Sequence, residues 1–167
     1  GTTTGYLRQI NDIDSDETVL EEMNKVIAPI IALEQELQDV QARINHAEET
    51  ALEALYEQYS RLEHEYELWD GYSARSRVTG ILKGLGFEET EFSKSCRALS
   101  GGEKTRLFLG KLLIERPDII FLDEPTNHLD LRSIEWLETF LLNYPGTVLV
   151  VSHDRYFLDR IAGKVID

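Results

Sequence analysis

The first half of the chain carries hydrophobic residues in two series with helical spacing. The first series advances in steps of four and three residues through Val26, Ile30, Leu33, Leu37, Val40 and Ile44. After the polar residues 45–50, the second series advances in steps of three and four through Leu52, Leu55, Tyr59, Leu62, Tyr66 and Trp69. Both are heptad patterns, which are typical of coiled-coil helices. The sequence therefore predicts an antiparallel helical hairpin with arms of roughly 30 Å each.

Start and stop signals accompany these helices. Thr18 and Glu21 have the spacing of a capping box, which predicts that a helix begins there. Pro29 lies near the start of the first series and is expected to kink or delay that helix, because proline has no N–H to donate. A shorter helix is expected at residues 72–85, where glycines punctuate the chain.

The second half of the chain alternates between helix and strand patterns. Continuous apolar runs predict two buried strands, at 119–122 and 147–151, and a short strand is expected within the first ten residues. Helices are expected at 100–116, 131–143 and 154–161, the first of them stopped by Pro117. Buried strands separated by helices predict a parallel sheet, so the fold class is α/β with a helical subdomain inserted.

Composition and charge restrict the possible functions. The chain has 167 residues, 42% of them hydrophobic, which is enough for a real core and excludes wholesale disorder. Its net charge is -14, and residues 11–70, with 17 acidic and three basic residues, account for all of it. General binding to duplex DNA needs a basic surface, and this chain is strongly acidic. No DNA partner is therefore expected. No apolar run is long enough for a membrane span, and the single cysteine, Cys96, leaves no internal disulfide and fits a reducing compartment.

The acidic charge of the hairpin has two interpretations. Acidic side chains commonly line the solvated faces of a coiled coil, and this is the simpler explanation. The alternative is a surface that recognises a basic partner. The sequence leaves both open.

Asp123 and Glu124 follow directly after the apolar run 119–122. The end of a strand delivers both carboxylates to the edge of a parallel sheet where ligands bind. There one carboxylate can hold Mg²⁺, and its neighbour can orient and deprotonate an attacking water. An Asp-Glu pair after a strand is common, so this pair alone is a weak signal.

A second group of candidate residues opens the helix at 100–116. Ser100 and Glu103 form another capping box, and Gly101 and Gly102 allow the backbone to approach a ligand closely. Such a helix start offers free N–H groups and a positive dipole end to a phosphate. Taken alone, these four residues are more typical of an ordinary helix cap.

His153 follows the second apolar strand, and adjacent parallel strands would bring it beside Asp123 and Glu124. A histidine there can bond a terminal phosphate or the attacking water. Ser152, His153 and Asp154 cannot form a hydrolase triad, because three consecutive residues cannot point at one another.

Together these segments resemble the ATP-binding-cassette ATPases. Residues 99–107 resemble their signature motif, 122–130 their Walker B segment with its D-loop, and 151–159 their switch-histidine region, while Gln9 falls at the Q-loop position. The residues of these motifs are similar to those of the ABC-F subfamily, which comprises two-cassette translation and antibiotic-resistance factors. The position of the helical hairpin, between Gln9 and the signature motif, is similar as well. The length of the hairpin indicates the N-terminal cassette.

The resemblance implies a role for each matched residue. Asp123 and Gln9 would hold Mg²⁺, Glu124 would polarise the water, and His153 would contact the γ-phosphate. Gln9 would also sense the nucleotide. The residues expected to act on ATP across the interface with a second cassette are Ser100, Gly101, Gly102, Glu103 and Asp130. The implied cofactors are ATP and Mg²⁺, and the implied partners are a second cassette in the same chain and the ribosome, through its proteins and rRNA, in the cytoplasm.

The resemblance also implies a division of the chain. Residues 1–15 would form a core strand and the Q-loop, 16–98 a helical subdomain with its coiled-coil arm at about 26–69, and 99–167 the signature helix and the remaining core. No Gly-x-x-x-x-Gly-Lys-Ser/Thr phosphate loop is present. We therefore expect a partial P-loop NTPase cassette that is inactive alone.

Three other functions stay open at this stage. A chromosome-maintenance or DNA-repair ATPase also inserts a coiled coil into a cassette, but usually a far longer one. The nucleotide-binding subunit of a membrane transporter has a compact helical region at that place. In a pure interaction module, the acidic hairpin would act and the cassette would be inert.

Overall fold

The computed structural model describes residues 1–7 and 15–163 of the chain. These residues divide into two compact units. One comprises residues 24–77, and the other is formed by the segments before and after them. The predictions for Gln9 and the Q-loop concern residues outside these ranges. None of the helices in the described ranges is long and apolar enough to cross a membrane.

A parallel three-stranded sheet organises the larger unit. Its strands are β1 (Thr4–Leu7), β2 (Ile119–Asp123) and β3 (Thr147–Val151), in the order β1-β2-β3. Leu7 pairs with Leu122, and Asp123 pairs with Val151, so the carboxyl ends of the strands meet at one edge. The predicted α/β class with a parallel sheet is confirmed.

Helices supply most of the buried core of this unit. They are α1 (Val19–Asn24), α5 (Gly101–Glu115), α6 (Leu131–Leu142) and α7 (Arg155–Ile161), while α4 (Gly71–Gly84) runs from one unit into the other. The most completely buried side chains include Met23, Leu107, Leu113, Ile120, Leu137 and Phe157. The capping box predicted at Thr18 is confirmed, since the Glu21 carboxylate accepts from the Thr18 N–H at 2.8 Å and the Thr18 hydroxyl accepts from the Glu21 N–H at 3.2 Å.

The prediction that residues 147–151 form a fully buried strand is wrong. Leu149 is 39% exposed and Val151 is 66% exposed. Among the described residues, β3 pairs only with β2 and is an outer strand of the sheet. An apolar run predicts that a strand is buried, but it does not show which other segment packs against it.

Residues 24–77 contain the predicted hairpin. Helices α2 (Ala28–Ile44) and α3 (Glu49–Leu68) pack against each other and are joined by residues 45–48, so they run antiparallel. Pro29 is the second residue of α2, where the missing N–H costs nothing because first-turn N–H groups lack helical partners. Helix α2 thus begins at Ala28, next to the proline, two residues after Val26, where the first series begins.

The buried residues of the hairpin come from both hydrophobic series: Ile30 and Val40 from α2, Leu55 and Tyr66 from α3. The assignment of Trp69 to the second series is wrong, because α3 ends at Leu68 and Trp69 is 53% exposed. Trp69 is the C-cap residue that follows the last residue of α3.

The polar link before α5 is held by main-chain hydrogen bonds to the start of α1. The Val19 N–H donates to the carbonyl oxygen of Lys94 at 3.0 Å, and the Cys96 N–H donates to that of Glu17 at 2.8 Å. Thr18 and Ser95 form an antiparallel bridge between these bonds. The backbone that leads into α5 is therefore fixed.

Candidate functional site

A cleft of about 360 Å³ lies at the carboxyl ends of β1 and β2. The residues that line it are Leu7, Gly101, Gly102, Thr105, Asp123, Glu124, Asn127 and His128. The structure thus brings the start of α5 together with the end of β2, two segments that the sequence analysis selected independently. The cleft is also lined by Thr105, which lies inside the segment 99–107, and by Asn127 and His128, which lie inside the segment 122–130.

Glu124 has an unusual backbone at the end of β2. Its φ of 48° lies in the left-handed region, which few residues other than glycine adopt. The conformation is held because the Glu124 N–H donates to the carbonyl oxygen of Val151 at 2.8 Å. Such an outlier at a cleft is a frequent feature of functional sites.

The Glu124 carboxylate is held against the end of β3. The His153 N–H donates to its two oxygens at 3.0 and 3.2 Å, and the Ser152 hydroxyl lies 3.4 Å from Oε2. The imidazole Nε2 of His153 is 3.5 Å from Oε1, and this side chain is fully exposed while that of Glu124 is only 16% exposed. The structure therefore brings together Glu124 and His153, as their positions after adjacent strands predicted.

The chemistry of this cleft edge suits a hydrated divalent cation. Asp123 ends β2 and Glu124 follows it, which gives two neighbouring carboxylates. No group of three or more acidic, histidine or cysteine side chains suited to a metal occurs in the described parts of the chain. Mg²⁺ commonly takes one or two carboxylates and completes its shell with waters and phosphate oxygens, so the donors fit Mg²⁺ that arrives with a nucleotide.

The predicted capping box at the start of α5 is confirmed. The Ser100 N–H donates to Glu103 Oε2 at 2.7 Å, and the Glu103 N–H donates to the Ser100 hydroxyl at 3.3 Å. Lys94 Nζ donates to the other carboxylate oxygen, Oε1, at 2.7 Å. The bond from Lys94, followed by those from Ser100, lowers the pKa of Glu103 to about 2.

Gly102 permits a close approach between α5 and the turn after β2. A Cβ atom at this position would lie 3.1 Å from Cγ and Nδ1 of His128. His128 itself has a left-handed backbone, with φ of 66°. A larger residue at position 102 would therefore press on the turn that lines the cleft.

Asp130 caps helix α6. Its carboxylate accepts a hydrogen bond from the Ser133 N–H at 2.8 Å, and this backbone bond is the main cause of its lowered pKa. The structure thus gives this side chain a structural contact within the chain. Its expected role at an interface with a second cassette stays a prediction, as does the role of Gln9.

Comparison with known proteins identifies a family match and several relatives whose similarity extends over these motifs. The family described as ABC transporter matches residues 2–127. The ATP-binding protein YdiF of Bacillus subtilis is 43% identical over 99% of this chain and 26% of its own length. The tylosin resistance ATP-binding protein TlrC of Streptomyces fradiae is 39% identical over 98% of the chain and 30% of its length. The energy-dependent translational throttle protein EttA of Escherichia coli K12 is 35% identical over 98% of the chain and 29% of its length.

Solved structures show the same fold. The archaeal ribosome recycling factor aABCE1, solved in complex with the ribosomal stalk protein aP1, superimposes with a TM-score of 0.60 at 22% identity. The match covers 97% of this chain and 24% of that one. The chain therefore spans less than a third of the length of each of these relatives.

The family match spans most of the chain, and TlrC and EttA are members of one subfamily, ABC-F. Their similarity to this chain extends across the hairpin as well as the motifs that line the cleft. The chain belongs to the ATP-binding-cassette family and, within it, to the ABC-F subfamily.

Proposed function

We propose that this chain is part of a two-cassette ATPase that acts on the ribosome as a translation factor or as an antibiotic-resistance factor. ATP-driven closure of the cassettes would accompany ribosome binding, and hydrolysis would accompany release. The observation that carries the proposal is the carboxylate of Glu124, held by the His153 N–H at 3.0 Å on the edge of the cleft. The names of EttA and TlrC, which refer to translation and to tylosin resistance, support the cellular role.

Each residue of the cleft has a proposed task. Glu124 accepts the proton of the attacking water at its carboxylate, and its low exposure limits the water that competes for that position. His153 has an exposed imidazole that can donate to a terminal phosphate oxygen. Asp123 holds Mg²⁺, which when bound neutralises charge on the phosphates. Gln9 is proposed to contact the metal and the nucleotide.

The remaining predicted residues are proposed to act across the interface with a second cassette. Ser100, Gly101 and Gly102 lie at the start of α5, where N–H groups without helical partners attract phosphate. Glu103 is proposed to act there with them on the ATP of the other cassette, and Asp130 to belong to the D-loop at this interface. We retain the proposed division into residues 1–15, 16–98 and 99–167, and the cytoplasm as the site of action.

The hairpin is proposed to contact the ribosome. Among residues 11–70 the only lysines and arginines are Lys25, Arg43 and Arg61, so the segment cannot make the many phosphate contacts that drive RNA binding. We propose that it contacts basic surfaces of ribosomal proteins, or contacts rRNA through its few basic residues and its tip.

Ribosome co-sedimentation of the full-length protein tests the function. Glu124→Gln, combined with the matching change in the other cassette, keeps an acceptor for the His153 N–H but cannot take a proton. It should bind ATP, close and stay on the ribosome. Asp123→Asn weakens the metal site instead, so ATP should no longer retain the protein on ribosomes. If Glu124→Gln leaves the ribosome as fast as the wild type, the proposal fails.

A further inference from the structure

Glu103 presents an electrostatic problem at the start of α5. The first turn of this helix lines the cleft through Gly101 and Gly102, and its free N–H groups and positive dipole end favour an anion. A carboxylate in the same turn carries the same sign of charge as a phosphate. Unless it is compensated, it opposes the approach of any phosphate to the helix start.

Lys94 supplies the compensation. Its Nζ is 2.7 Å from Glu103 Oε1, with 34% of the lysine side chain and 14% of the glutamate side chain exposed. Partial burial of both groups limits screening by water and salt. Because Oε2 accepts the Ser100 N–H, the two oxygens of Glu103 are both engaged within the chain.

The backbone fixes Lys94 in this position. Its carbonyl oxygen accepts the Val19 N–H at 3.0 Å, and its N–H donates to the carbonyl oxygen of Glu91 at 3.0 Å. The next residue, Ser95, is bridged to Thr18. The ammonium group is therefore held beside Glu103 before any ligand arrives.

We propose that Lys94 is a positioning residue that neutralises Glu103, so that the start of α5 can accept the phosphates of ATP. The inference rests on the proposed function, since it takes the nucleotide to be the ligand at this helix start. Lys94 itself does not touch the nucleotide. It acts through the charge and the orientation of the glutamate.

The test compares four variants of the full-length protein: Lys94→Gln, Lys94→Arg, Glu103→Gln and the double variant Lys94→Gln/Glu103→Gln. Lys94→Gln leaves the carboxylate uncompensated, and the KM for ATP should rise by about threefold to tenfold with little change in kcat. Lys94→Arg keeps the charge and should resemble the wild type. Because Glu103 itself belongs to the proposed interface, the reference for the double variant is Glu103→Gln. With no carboxylate left to compensate, adding Lys94→Gln to Glu103→Gln should change the KM by less than about twofold.

This comparison separates the proposed role from simple stabilisation of the fold. If Lys94 only held the loop in place, Lys94→Gln would raise the KM by the same factor in the Glu103→Gln protein as in the wild type, and that result overturns the inference. So does an unchanged KM in Lys94→Gln. A thermal unfolding curve for each variant without nucleotide verifies folding. If the wild-type protein hydrolyses no ATP, the proposed function fails and the inference fails with it. If the wild type hydrolyses ATP with a measurable KM and Lys94→Gln has the same KM, only the inference fails.

Discussion

The main-chain N–H of His153 donates to the carboxylate of Glu124 at 3.0 Å, which couples the ends of two adjacent parallel strands. The bond uses the backbone of His153, while its imidazole is fully exposed, with Nε2 3.5 Å from Glu124 Oε1. One residue thus positions the proposed general base through its amide and can serve a phosphate through its side chain. Substitution of the side chain separates these two contributions, because every residue except proline keeps the N–H.

We expect Glu124→Gln and His153→Ala to act non-additively in the full-length protein. With the matching change in the other cassette, each should lower the single-turnover rate of ATP hydrolysis by about 10²–10⁴-fold, which is the range for loss of a general base or of a donor to transition-state charge. Groups that act as a unit lose little more when both are removed. The double variant should therefore be no more than a few-fold slower than the slower single variant.

Ser152→Ala is the matched control for this experiment. It removes the 3.4 Å contact to Glu124 and the hydrogen bond that the Ser152 hydroxyl accepts from the Asp154 N–H at 3.0 Å, but it leaves the His153 N–H in place. The rate should therefore fall by less than about tenfold. Rate losses that multiply in the double variant would mean that Glu124 and His153 act independently.

Two glycines of α4 predict opposite effects on stability. A Cβ at Gly84 would overlap the indole ring of Trp136 on α6, whereas a Cβ at Gly80 meets nothing within 4 Å. Gly84→Ala should therefore lower the free energy of unfolding by about 1–3 kcal/mol through overpacking. Gly80→Ala should raise it by about 0.5–1 kcal/mol, because alanine loses less backbone entropy in a helix. Urea unfolding of both variants measures the difference, and equal shifts for the two would contradict this packing.

Local signals in the sequence predict much of this fold, because capping boxes, heptads and apolar runs are determined by neighbours in the chain. The helix starts at Thr18 and Ser100 are of this kind. Contacts between segments that are distant in the chain are not predicted by such local patterns. The pairing of Lys94 with Glu103 depends on a loop held by α1, and the left-handed backbone of Glu124 depends on a hydrogen bond to Val151.

The same distinction explains the errors at the ends and edges of elements. The exposure of Val151 depends on which segment lies beside β3, and that of Trp69 on where α3 stops. Neither is determined by the hydrophobic pattern within the element itself. The site could be predicted further than its surroundings because its motifs stand at strand ends and a helix start, where local geometry fixes their direction.

The lowered pKa of Glu103 predicts a pH-dependent contribution to stability. The folded-state value of about 2 lies below the ordinary value of 4.5, so the ionised form is favoured by folding. Its contribution is fully present above about pH 4.5 and is lost as the pH falls toward 2. The stability difference between wild type and Glu103→Gln should therefore shrink by about 1 kcal/mol between pH 7 and pH 3.5. Urea unfolding of both proteins at the two pH values measures this change, and a difference that is constant with pH would show that the Lys94 contact does not hold the charge.

We expect residues 1–167 alone to bind ATP weakly and to hydrolyse none. The sequence has no Gly-x-x-x-x-Gly-Lys-Ser/Thr loop, whose backbone N–H groups normally supply most of the phosphate contacts. A steady-state phosphate-release assay on the purified chain measures turnover, with the Glu124→Gln chain as the control for contaminating ATPases. Turnover above background that disappears in that control would contradict the prediction.

The hairpin should contribute to ribosome binding without being needed for the fold of the larger unit. Residues 24–77 form a compact unit of their own, so replacing residues 26–69 with a short Gly/Ser linker should leave the rest of the protein folded. We expect this deletion, in the full-length protein, to weaken ribosome co-sedimentation while circular dichroism shows the loss of only the hairpin helices.

Arg43→Gln and Arg61→Gln distinguish the two kinds of contact. If these arginines reach rRNA, each substitution should reduce the slope of log affinity against log salt by about one, whereas contact with basic protein surface should leave the slope nearly unchanged. Ribosome binding that survives the deletion intact would make the hairpin a structural brace and exclude it from the ribosome contact.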